Sequence, residues 1–163
     1  MNLEQIRNVI SNNFKRVQED PHELSHLLTL KEQKPEIDFI ICDNSANPYQ
    51  MFDQYFFRNN FRINKHKIII PRHILEKIYN TGFHAGESAL EYRDYRKVSP
   101  LKMKKSEFVT AIAVHELSHV FQLYIQDYYT DDDHTEEFYD VLESFYDSPF
   151  ISKMNQDLSF LNI

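Results

Sequence analysis

Residues 108–126 read FVTAIAVHELSHVFQLYIQ, and inside this run His115, Glu116 and His119 stand in H-E-x-x-H spacing. At about 100° per residue on an α-helix, His119 falls roughly 40° round the cylinder from His115, and Glu116 roughly 100° from it. Two imidazoles one turn apart can share one metal ion, with the carboxylate beside it. The opposite side collects Ala113, Val114, Leu117, Val120, Phe121, Tyr124 and Ile125, an apolar sector wide enough to press against a core. A helix fixed by that packing holds its polar stripe in constant geometry towards a cleft. The pattern therefore predicts a zinc site on a buried helix.

The same pentapeptide, HELSH, occurs a second time at residues 22–26, in QEDPHELSHLLTL. That copy follows Pro21 and a charged run, so it opens a short surface helix with Asp20 as N-cap and Pro21 at the first helical position. No further histidine follows it before His66. The bare pattern arises easily in a chain with eight histidines, and its flanks decide between the copies.

Catalytic zinc takes three protein ligands and leaves a fourth position to water, so His115 and His119 need a third. His134, in YTDDDHTEEFYDVL, is the first candidate downstream. Asp133 resembles the N-cap of a new helix with Glu136 three residues on, which sets His134 in its first turn. Phe138, Val141, Leu142 and Phe145 recur at helical spacing and supply the face that folds this helix back across the first. Glu137 and Glu143 are the rival third ligands, and the alternative for His134 is a solvated residue beside an acidic loop.

The order HELSH, His134, then Phe138 in H-T-E-E-F resembles the SprT or Spartan-type zinc metalloprotease domain, whose pattern is H-E-x-x-H followed by H-G-x-x-F; Thr135 stands where that pattern has glycine. The resemblance covers residues 36–145, with its specific motifs confined to the last forty of them. It implies that His115, His119 and His134 ligate zinc, that Glu116 is the catalytic base, and that an edge strand pairs with an extended substrate through its main chain. Spartan-like proteases degrade proteins crosslinked to DNA, which makes a nucleic-acid partner an implication of the resemblance. The metzincin pattern is excluded, because neither its glycine nor its third histidine follows His119 within six residues.

A chain of 163 residues suits one domain that buries about 70% of its unfolded surface. Leu3, Ile6, Val9, Ile10, Phe14 and Val17 mark an amphipathic first helix. Residues 36–42, 51–58 and 61–70 are strand-like, with Asn59-Asn60 as a turn. The expected class is thus α+β: a small antiparallel three-stranded sheet packed with helices, among them the buried H-E-x-x-H helix and its successor. Within the single domain, residues 1–35 form a helical segment, 36–146 the core and 147–163 a tail packed back on it. Ile68, Ile69 and Ile70 run without alternation, which suits a central strand covered on both sides. Arg72 opens a short helix over residues 72–79. Residues 81–100 hold both glycines and the run EYRDYR, material for a cleft wall or lid in which His84, Tyr92, Arg93 and Tyr95 are surface or packing residues first.

One cysteine, Cys42, excludes an internal disulfide and a cysteine-based zinc site. The N-terminus lacks signal-peptide character and no apolar run reaches membrane-spanning length, so a cytoplasmic setting without membrane is expected. A net charge of −7 disfavours broad adhesion to phosphate backbones. The expected activity is zinc-dependent hydrolysis of peptide bonds in a protein or peptide substrate, with Glu116 assisting attack by zinc-bound water. The alternatives are a closed zinc site that ties two helices together in a protein-binding domain, and hydrolysis of a non-peptide amide.

Overall fold

The computed structural model describes residues 2–19, 36–42, 49–52, 65–73, 104–125 and 134–162. They form α1 (Leu3–Glu19), β1 (Glu36–Cys42), β2 (Tyr49–Phe52), β3 (Lys65–Pro71), α2 (Lys105–Ile125), α3 (Glu136–Asp147) and α4 (Pro149–Ser159). The first HELSH copy, the Asn59-Asn60 turn and residues 81–100 with His84, Tyr92, Arg93 and Tyr95 lie outside the described residues. So does the helix expected from Arg72, except for Arg72 and His73 themselves.

The antiparallel sheet expected from the sequence is corrected by the strand pairing. The strand order is β1-β3-β2, and β1 runs parallel to β3 over its whole length, from Glu36 opposite Lys65 to Cys42 opposite Pro71. Only the four-residue β2 is antiparallel to β3. The sheet is therefore mixed, its main pairing is parallel, and the described residues are mostly helical. Three strand-like runs separated by turn-prone residues suggest a meander, but a meander leaves the last strand on an edge. Setting β3 between β1 and β2 takes Ile68, Ile69 and Ile70 all out of water, and each is buried.

One face of the sheet builds the core. Ile37, Phe39 and Ile41 alternate along β1 opposite His66, Ile68 and Ile70 of β3, as the twofold strand period requires. Against this face lies α1, through Ile6, Ile10, Phe14 and Val17, with the Phe14 and Phe39 rings edge to face at 6.1 Å. Arg7 Nε of α1 donates a hydrogen bond to the Phe39 carbonyl at 3.0 Å, so the helix is also tied to the edge strand by its polar rim. The expected packing of the tail takes the form of α4. Ser148 caps it, Pro149 occupies its first turn, and Phe150, Met154 and Leu158 enter the core. Phe160 does not follow them and is 72% exposed.

The central helix α2 is buried nearly all round, its polar Ser106, Thr110, His115, Glu116, Ser118 and Gln122 included, as a helix enclosed by its own protein must be. Ala113, Val114, Leu117, Val120 and Phe121 are buried as the helical sector predicts. The Glu107 carboxylate accepts from the Lys104 backbone N–H at 2.8 Å, half of a capping box that fixes where the helix starts. Among the described residues no helix is long and apolar enough to cross a membrane.

Candidate metal centre

His115 and His119 project from α2, and His134 from the residue before the cap of α3. That cap is Thr135 rather than Asp133: its hydroxyl accepts from the Phe138 N–H, and α3 begins at Glu136. The boundary shifts because a threonine followed by Glu136 and Glu137 places two carboxylates in the first turn, where the helix dipole favours them. His134 consequently sits outside the helix instead of in its first turn, free of helical backbone constraint.

The three imidazoles meet through their Nε2 atoms. His115 Nε2 lies 3.1 Å from His134 Nε2 and 3.2 Å from His119 Nε2. One ligand atom from each residue falls within 4.8 Å of the others, close enough to hold a metal ion. A tetrahedral zinc ion with bonds of about 2.1 Å sets its ligand nitrogens roughly 3.4 Å apart, so the separations suit one ion of that size. Neither Glu137, half-buried, nor Glu143, exposed, belongs to the cluster. Among the described residues the protein contributes these three donors and no fourth.

Phe138 forms the floor of the cluster. Its ring is fully buried and its centroid lies 4.8, 4.4 and 4.9 Å from those of His115, His119 and His134. The ring stacks on His119 and meets the other two edge to face, so the imidazoles can rotate little. Sequence periodicity assigned Phe138 to the apolar face of α3, and the H-T-E-E-F order marked it as part of the motif, but neither told that its ring would lie against all three imidazoles.

Burial, with like-charge repulsion from His119 and then His134, holds the pKa of His115 well below the ordinary histidine value of 6.5. A neutral imidazole offers the lone pair that a cation needs. His115 is 4% exposed, whereas His119 and His134 are half-buried, so the cluster is closed beneath and approachable from one side. Glu116 follows His115 on the same helix and is 5% exposed.

A polar chain that the sequence reading missed runs from His119 to the start of α3. His119 Nδ1 lies 3.1 Å from Gln122 Oε1, and Gln122 Nε2 donates to Thr135 Oγ1 at 2.9 Å. Gln122 stands three residues after His119, a spacing that places both on one helical face. No family model matches the chain, and comparisons with curated proteins and with solved structures find none that is similar to it.

Proposed function

We propose that the protein is a zinc-dependent peptidase in which His115, His119 and His134 bind the metal and Glu116 moves the proton. The observation that carries this reading is the convergence of three Nε2 atoms, drawn from two separate elements, at spacings of 3.1 and 3.2 Å. Lone pairs brought so close repel one another unless a cation or a shared proton lies between them. Three imidazole nitrogen donors suit zinc, and three protein ligands rather than four suit a site with room for substrate. Bound there, the metal supplies a Lewis acid that polarises a carbonyl and makes water acidic near neutral pH.

The remaining work falls to the chain. Glu116 is buried beside His115, and its carboxylate takes a proton from the attacking water and returns it to the leaving amine. Phe138 and the enclosing helix α2 keep the imidazoles oriented, which reduces the rearrangement needed in each turnover. The resemblance of HELSH, His134 and Phe138 to the Spartan-type pattern points to peptide bonds over other amides.

Glu116→Gln keeps the shape of the side chain and removes the base. Zinc should remain bound, while cleavage of an unfolded protein such as casein falls by at least about a hundredfold. His119→Ala should lose zinc and cleavage together. A wild-type protein that binds one zinc ion and cleaves neither casein nor a peptide library would instead favour a structural metal holding α2 and α3 together. Undiminished hydrolysis by Glu116→Gln would refute the role given to that residue.

A further inference from the structure

We infer that Gln122 and Thr135 are positioning residues that preset His119 for metal and lock the third ligand to the first two. This inference rests on the reading of the three histidines as a metal site and names how this chain prepares it. An amide oxygen only accepts hydrogen bonds. With Gln122 Oε1 at 3.1 Å from His119 Nδ1, the imidazole carries its proton on Nδ1 and keeps the Nε2 lone pair for the centre, where His115 Nε2 lies 3.2 Å away. The opposite tautomer would aim a proton at the position of the metal.

The other end of the same amide makes the second half of the device. Gln122 Nε2 donates at 2.9 Å to Thr135 Oγ1, the oxygen that also accepts from the Phe138 N–H and starts α3. Gln122 and Thr135 are both buried, so water competes little for these bonds. Thr135 directly follows His134, and Phe138 is the floor beneath all three imidazoles. One side chain thus connects the tautomer of a ligand on α2 to the start of the helix that positions the ligand before α3. A glycine at residue 135 would have no hydroxyl to accept from the Phe138 N–H or from the Gln122 amide.

Zinc and cobalt titrations separate this role from plain packing. Gln122→Leu retains volume and leaves the Thr135 cap in place. It should weaken zinc affinity by 10- to 100-fold in competition with a chromophoric chelator, the usual range for loss of such an outer partner. Thr135→Ser keeps the hydroxyl and should bind within about threefold of wild type, whereas Thr135→Val should weaken binding by about tenfold or more. In the cobalt-loaded protein the visible absorption of Gln122→Leu should change shape as the His119 ring reorients.

If the wild type binds no zinc, the metal reading and this inference fall together. If the wild type binds zinc and Gln122→Leu binds it equally well with an unchanged cobalt spectrum, the positioning role is overturned while the metal site stands. The Thr135→Ser and Thr135→Val pair decides the matter independently should Gln122→Leu fail to fold. Equal zinc affinity in that pair overturns the link.

Discussion

Phe138→Ala probes how far the metal centre depends on its hydrocarbon floor. The side chain has no exposed surface, and its ring lies within 4.9 Å, centroid to centroid, of three imidazoles and at 5.1 Å from Tyr139. Truncating a fully buried phenylalanine removes its transfer free energy and leaves a cavity, together about 3–5 kcal/mol. A domain of this size has about 5–15 kcal/mol in total and loses about 2–4 °C of melting temperature per kcal/mol, so the metal-free variant should melt roughly 6–20 °C lower. The imidazoles then also lose the surface that restrains them, and the ordering they need is displaced onto metal binding. Zinc affinity should fall by about tenfold or more.

Denaturant unfolding in chelator isolates the packing loss, and the same experiment at saturating zinc shows how much the metal restores. Phe160→Ala serves as the control, because that ring is 72% exposed and its removal should change stability by no more than about 0.5 kcal/mol. A metal-free loss below about 1 kcal/mol for Phe138→Ala would refute the packing argument. Undisturbed zinc affinity with a full stability loss would show instead that α3 alone holds His134 in place.

Two further outcomes test the electrostatics and the sheet. The folded chain holds His115 neutral below its ordinary pKa of 6.5, through burial and through its two histidine neighbours, whereas the unfolded chain takes up that proton. Stability of the metal-free protein is therefore highest above about pH 6.5 and declines as the pH falls below it, by up to about 1.4 kcal/mol per pH unit for this group; equal denaturant midpoints at pH 8 and pH 5 in chelator would contradict it. Ile69→Ala in the central strand should cost about 2–5 kcal/mol, measured by the same unfolding, because Ile69 is buried on the face opposite Ile68 and Ile70; a cost below about 0.5 kcal/mol would mean that face meets solvent.

Local rules were enough wherever one element carries its own signal. The 3.6-residue period of apolar residues identified α1, α2 and α3, and the same period brought His115 and His119 to one side of α2, because both facts follow from helix geometry alone. Ser148-Pro149 carries a comparable local signal for the start of α4, yet the sequence was read there only as a tail packed back on the domain. The candidate ligands were readable for this reason: two lie one helical turn apart, and the third lies close behind in the chain.

Pairing between distant segments is another matter, since the strand period of two is the same in parallel and antiparallel sheets. Which strand lies beside which was decided by the need to cover Ile68, Ile69 and Ile70 from both sides, a demand that only the assembled layers can meet. The bond from Gln122 to Thr135 and the ring of Phe138 beneath three imidazoles are likewise products of two helices crossing. Residue types and spacings determined which side chains could bind a cation, and tertiary packing decided their distances, the outer partner of His119 and their degree of burial. Each of those depends on atoms supplied by a neighbouring element.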